Sequence, residues 1–394
     1  MRSYFRKCWP LLLVWCFSVQ AGNNKINQLT DFLEAQHITA KEYIINLFEE
    51  KDIIILYERH HAETEQYNLF MEIISDPAFI ENVGVAYTEV GGYNRSRQVN
   101  EFLVKEGLDS ITIHKEVTGL LRNADMSANV WFAHSYPWFL QEIYKLNQRL
   151  NKEDKIEMYG CDASFDWDEC FSQEEYFKLD SILDEDRDSI MANNFAQQFK
   201  IQPLRNGKRK ALIIQNTRHA YLKDTHGNDG MIRKNTGRYI YDLFGDKVAS
   251  VFITGLGYPD SWNEYTVIKD GLWDAAFESA GKTDVGFTLQ DTPFGKAPFD
   301  LTPVGWTIDK YLYQDIFTGI IYYKPIEQHL LKTGWEGTFT EDFRPELMRR
   351  FKIADGEETE ITPEDIHFLN SVTTSKYHNL EELRAKIDKW KPKY

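Results

Sequence analysis

Glu58 and His61 stand three residues apart, directly after the apolar run Ile53-Ile54-Ile55-Leu56. A carboxylate bonded to one ring nitrogen fixes the tautomer of an imidazole and raises the basicity of the other nitrogen. His61 is therefore a candidate general base for water. A second acid, Glu89, closes another strand-like run, Val83-Gly84-Val85-Ala86-Tyr87-Thr88. No basic residue follows until Arg95, so Glu89 is expected to be desolvated, with its pKa raised toward neutrality. A third run, Ala211-Leu212-Ile213-Ile214, leads into Gln215-Asn216-Thr217-Arg218-His219. There His219 offers a donor to a developing oxyanion or a carrier for a proton. Arg187 falls in a helical stretch, where its planar guanidinium suits an ester or carboxylate oxygen. The expected catalytic set is Glu58, His61, Glu89, Arg187 and His219. His60, Tyr93, Asn216 and Arg218 are the expected substrate-binding set.

These groups act together only if the fold gathers them. The aliphatic runs read as buried strands of an α/β sheet, and the chemistry-bearing residues sit just past their ends. Open α/β sheets hold ligands outside the carboxyl ends of their strands. Further strands are predicted at Ile156–Tyr159, leading into Gly160-Cys161-Asp162, at Val248–Gly255, and at Ile320–Tyr323 within a β-rich stretch 284–325. Helices are predicted around Tyr43–Phe48 and over Glu63–Ile74, Asn100–Gly107, Trp131–Leu150, Tyr176–Phe199 and Thr236–Phe244. This alternation predicts a central, mainly parallel β-sheet flanked by helices. One large α/β domain over 22–330 is expected. The charged, mostly helical residues 331–394 are expected to pack on or beside it as a tail or lid.

Of 394 residues, 42% are hydrophobic and 14% aromatic, which supports a substantial core. The formal net charge of −16 argues against a nucleic-acid partner, since phosphate recognition needs a basic surface. A small molecule is the expected partner. Arg2, Arg6 and Lys7 precede a short apolar run from Cys8 to Val19, and Val19-Gln20-Ala21 resembles a signal-peptidase site. Residues 1–21 are thus expected to be a cleaved leader, and the mature chain to be exported to the periplasm or beyond. Lipidation at Cys16 is the alternative, with Trp15 a poor fit before it. No later stretch is long and apolar enough for a membrane span. Cys161 and Cys170 remain after the leader, either as a disulfide or as two buried thiols.

There is no G-x-S-x-G elbow, H-E-x-x-H helix or phosphate-binding P-loop, so acid, imidazole and guanidinium chemistry remains. In order, the chain presents Tyr57-Glu58-Arg59-His60-His61, then Tyr87-Thr88-Glu89. Next come Trp131 through Asn147 leading to Gly160-Cys161-Asp162, then Arg187 through Asn194, then Asn216-Thr217-Arg218-His219. This succession resembles the erythromycin esterase family and the wider superfamily that includes ChaN-like haem-uptake proteins. It differs in having Tyr57 where the first motif has Gly, and Ala62 after His61 where Gly is common. His219 also comes one residue late after its Asn. The resemblance implies metal-independent hydrolysis of an ester or lactone and no cofactor. Two other readings use the same residues. Glu58, His61, Glu89 and His219 contain suitable ligands for a divalent metal. Alternatively, Tyr93, Tyr136, Trp138 and Trp167 could line a pocket for haem or another apolar ligand, with core packing the competing role.

Overall fold

The structure, a computed structural model, describes residues 25–391 apart from 129, 228, 258–264, 304 and 357–359. The expected leader and its cleavage site lie outside the described residues. No helix among the described residues is long and apolar enough to cross a membrane.

Seven strands form the main sheet: β1 (Ile53–Glu58), β2 (Val85–Gly92), β3 (Glu157–Asp162), β4 (Ala211–Asn216), β5 (Val248–Ile253), β6 (Asp284–Thr288) and β7 (Gly319–Tyr323). Their order is β6-β7-β5-β1-β4-β2-β3. All neighbours run parallel except β6, which is antiparallel to β7 at one edge. The α/β architecture with a mainly parallel sheet is thus as the alternation of elements predicts.

The period of two along β1 divides its side chains between two cores. Ile53, Ile55 and Tyr57 pack with Val85, Tyr87, Ile213 and Phe252 on one face. Ile54 and Leu56 pack with Ala86, Leu212, Ile214 and Val251 on the other. Ile53 through Leu56 are fully buried, each burial stabilising by roughly 1.5–3 kcal/mol. The connection from β1 to β2 packs Leu69, Phe70 and Ile73 into one core, and the connection from β4 to β5 packs Ile240 into the other, so the two cross on opposite faces. The carboxyl ends of β1 and β4 therefore flank the crevice where the connections diverge.

Several elements depart from the sequence expectation. The helix expected at Asn100–Gly107 runs instead over Ser96–Leu103. The helix expected from Trp131 starts only at Ser135, because residues 131–134 form an irregular loop entered through Val130 at φ 64°. A helix at Ser110–Arg122 was not anticipated. The stretch 284–325 is mostly loop around β6, β7 and the short strand Trp306–Thr307. The residues after 330 contribute Trp335, Phe339 and Leu347 to one core and Tyr377, Leu383 and Ile387 to the other. Cys161 and Cys170 are free, buried thiols, so the disulfide alternative is not realised.

Candidate active site

The turn after β1 is held by its own hydrogen bonds. Glu63 caps the helix Thr64–Ile74, accepting from the N–H groups of Glu65 and Gln66. Gln66 in turn accepts from the Arg59 N–H at 2.6 Å and donates to the His60 carbonyl at 2.8 Å. The Arg59 side chain is buried against Glu63 at 2.7 Å and the Thr254 carbonyl at 3.1 Å. Glu58 and His61 thus hang from a turn fixed at both ends. His61 Nδ1 meets Glu58 Oε2 at 2.9 Å, and the Tyr67 hydroxyl donates to Glu58 Oε1 at 2.7 Å. The Trp131 ring packs edge-on against the His61 ring at 4.9 Å.

Glu89 reaches the crevice because β2 is irregular there. Its register with β3 shifts between Thr88 and Gly92, while its pairing with β4 ends at Thr88. At Gly160 of β3 a Cβ would lie 2.1 Å from the Gly91 carbonyl oxygen, so only glycine permits this approach. With the ladder to β4 ended, the Glu89 side chain accepts the Asn216 backbone N–H at 2.7 Å. The Asn216 amide donates to the Glu58 carbonyl at 3.1 Å and also to that of Arg59, tying the two strand ends together.

The long helix Gln173–Ile201 supplies Arg187 and Asp188. Arg187 grips Asp162 with two bonds, Nε at 3.0 Å and Nη2 at 2.8 Å, and its Nη2 also reaches Glu89 Oε1 at 3.3 Å. Asp188 accepts from His219 Nδ1 at 2.6 Å, from the Thr236 N–H at 2.7 Å and from the Thr236 hydroxyl at 2.8 Å, and it pairs with Arg218. His219 Nε2 lies 3.8 Å from Glu89 Oε1. Thr217, between Asn216 and Arg218, sits at φ 44°, a strained conformation for a branched residue.

These residues line one cavity of about 400 Å³: His60, His61, Glu89, Arg187, Asn216, Thr217, Arg218 and His219, with Pro303 and Trp306. Glu58 stands behind His61. Eight of the nine expected site residues therefore gather at one place. Tyr93 does not; it lines a separate surface depression with Asn100 and Tyr159. The other aromatics are also dispersed. Tyr136 and Trp167 are buried in different clusters, and Trp138 lines another cavity. Asp162, Asp188 and Trp306 carry roles that sequence reasoning did not assign. Asp188 adjoins Arg187 and Asp162 ends a strand, which were the available signals. Trp306 carried none: it reaches the cavity through a small antiparallel sheet with Thr225–Gly227, and its ring lies 3.9 Å from the Arg218 guanidinium carbon.

Electrostatics separates the roles. Burial pulls the His61 pKa down, but the Glu58 and Glu89 carboxylates outweigh it and leave it raised. Burial pushes Glu89 up, yet His219, Arg187, His61 and the Asn216 N–H together bring it below the ordinary carboxylate value. This corrects the expectation of a raised Glu89: its compensating cations come from β1, β4 and the long helix, not from its own segment. Burial, with the neighbouring His61 charge, pushes His60 down to about 4, so His60 is a neutral ring whose Nδ1 accepts the Ala62 N–H at 3.1 Å. Among the described residues, no group of three or more His, Cys, Asp or Glu side chains is placed to hold a metal ion.

The chain matches no protein-family model and no curated protein sequence. Among solved structures its fold is shared with a protein from Bacillus cereus, at 12% identity and a TM-score of 0.51 over 76% of this chain and 97% of that one. It is also shared with a succinoglycan biosynthesis protein, at 8% identity and a TM-score of 0.52 over 76% and 96%. A mutant of the erythromycin esterase EreC in its open conformation aligns at 12% identity and a TM-score of 0.46 over 71% and 92%. At such identities the likeness is one of fold alone.

Proposed function

We propose that the mature chain is an exported, metal-independent hydrolase that activates water to cleave an ester or lactone. The observation that carries this reading is the pair of imidazole–carboxylate couples, Glu58–His61 and Asp188–His219, whose imidazoles line one cavity with Glu89. Export is supported by the basic residues and apolar run of the leader.

The roles follow from the bonds. Glu58 takes the Nδ1–H of His61, so Nε2 is the nitrogen that accepts a proton from water. The resulting hydroxide attacks the substrate carbonyl carbon. Glu89, held ionised, is a weak base; its part is to stabilise the imidazolium that forms on His61 and to orient the water. Arg187 uses Nε and Nη2 on Asp162 and Glu89, leaving Nη1 for the carbonyl oxygen as it becomes negative. The tetrahedral intermediate collapses with cleavage of the C–O bond, and His61 returns its proton to the departing alkoxide. Water and ester yield acid and alcohol, with no other reactant.

The test is a panel of chromogenic esters and lactones, each with and without chelator, on the protein from Gly22 onward. Turnover is expected to survive chelator and to fall by about 10²–10⁴-fold in His61→Ala and in Glu89→Gln, with circular dichroism unchanged. Turnover lost in chelator and restored by a divalent ion would move the reaction to metal chemistry. A folded protein inert toward every substrate would overturn the hydrolase reading.

A further inference from the structure

A second cavity, of about 280 Å³, lies on the far side of the catalytic turn. It is lined by Thr64, Tyr67, Asn68, His134, Ser135 and Trp138, and by Leu330, Lys332 and Thr374. Two of these side chains reach the catalytic pair directly. The Tyr67 hydroxyl donates to Glu58, and the Ser135 hydroxyl donates to the His61 carbonyl. The cavity is thus one side chain deep from the dyad, and it is distinct from the cavity that holds Glu89, Arg187 and His219.

It differs from the cavity around Glu89 in that, among the described residues, no carboxylate lines it. Lys332 belongs to the short strand Leu331–Thr333, opposite Thr374 of Thr373–Ser375. Alternation along that strand sends Leu330 and Lys332 to one face, the face shared with Thr374. Among the described residues Lys332 forms no ion pair, although the protein as a whole carries an excess of acids. The helix Ser135–Asn147 begins at this cavity, and its first turn has no side-chain cap, so the positive end of its dipole adds to the lysine. His134 contributes no charge. Burial pushes it down to about 4, and its Nδ1 is bonded to the Gly334 carbonyl at 3.0 Å. The indole of Trp138 and the Leu330 side chain supply an apolar wall.

We propose that this cavity is a binding site for a small carboxylate carrying an apolar or aromatic body. The carboxylate pairs with Lys332 at the open end of the helix, and the body lies along Trp138. A cation faced by hydroxyl and amide groups, with no competing acid and one aromatic wall, suits that class better than a neutral or cationic molecule.

Calorimetric titration of the folded protein with benzoate, and with benzamide as its neutral counterpart, tests the proposal without reference to catalysis. Saturable benzoate binding is expected, at least about tenfold tighter than benzamide. It should weaken by at least about tenfold in Lys332→Gln, weaken in Trp138→Ala, and persist in His219→Ala, whose change lies in the other cavity. Equal affinity for benzoate and benzamide, or no saturation at millimolar benzoate, would overturn the assignment. Binding kept in Lys332→Gln but lost in His219→Ala would place the anion in the catalytic cavity and overturn it as well. The comparison of the two ligands on the unaltered chain holds even where a variant misfolds.

Discussion

The two histidine–carboxylate couples solve one problem in different ways. Glu58–His61 is local: one turn delivers both groups, and among the described residues Glu58 takes two side-chain donors, His61 and Tyr67. Asp188–His219 is assembled from a helix and a strand end 31 residues apart, and Asp188 is saturated by His219, Arg218, the Thr236 N–H and the Thr236 hydroxyl. Those partners outweigh its burial and hold it far below the ordinary carboxylate range. A carboxylate so fully engaged orients its imidazole and knits the helix Thr236–Phe244 to the long helix. A carboxylate with two partners retains freedom to follow charge on its imidazole. The first couple is therefore suited to moving a proton and the second to holding geometry.

The largest effect should appear where the saturated couple is broken. Asp188→Asn leaves Arg218 and His219 buried without their anion and is expected to cost about 3–5 kcal/mol of stability in urea unfolding. A loss below about 1 kcal/mol would erase the distinction between the couples. The lowered Asp188 pKa also fixes a pH window. Its stabilisation is complete above the unfolded-state value near 3.8 and is lost as pH falls toward the lower folded value. Unfolding titrations in acid should show this loss in the unaltered chain and not in Asp188→Asn.

Glu58→Gln should cost less, about 1–3 kcal/mol, and should act chiefly on the pH profile. The raised His61 pKa means that the charged couple stabilises the fold below the ordinary imidazole value of 6.5 and ceases to do so as pH rises through the folded value. Activity that needs a neutral His61 should rise over that same interval, with its midpoint above 6.5. The Glu58→Gln midpoint should lie lower. An unmoved midpoint would show that Glu58 does not set the basicity of His61. The smallest effect is expected outside both couples. Trp306→Ala removes the ring over Arg218 and should raise KM by up to about tenfold with kcat little changed. A fall in kcat alone would give Trp306 a part in the reaction itself.

The same contrast explains what was legible in the sequence. Glu58, His61 and Glu89 were visible because each closes a run whose β-branched and aliphatic side chains announce a buried strand, and the parallel sheet followed from the same runs. The state of Glu89 was not visible, because the groups that lower it lie about 28, 98 and 130 positions away and meet it only through the sheet order β1-β4-β2. Asp188 and Asp162 look like ordinary helix and strand-end acids until the fold places Arg187 and His219 against them. Tyr93 failed for the opposite reason. Its aromatic type matched a pocket, but the turn after β2 directs it to another surface. Trp306 sits in a loop with no periodicity and became legible only through its pairing with Gly227.

The brace behind the Glu58–His61 turn carries a consequence for how the protein is made. The Lys332 N–H bonds the Ala62 carbonyl, the Thr64 N–H bonds the Leu330 carbonyl, and the Gly334 N–H bonds the Phe132 carbonyl. The turn that holds His61 and the loop that holds Trp131 are thus closed by a ribbon synthesised more than 260 residues after His61. At ribosomal speed that interval is on the order of tens of seconds. Until it has passed, the turn of Glu58 and His61 lacks the strand that braces it, whereas Glu89 and His219 bond to Arg187, Asn216 and Asp188, all earlier in the chain. A chain ending before residue 330 is therefore expected to keep the partners of Glu89 and His219 and to lose the brace on the His61 turn.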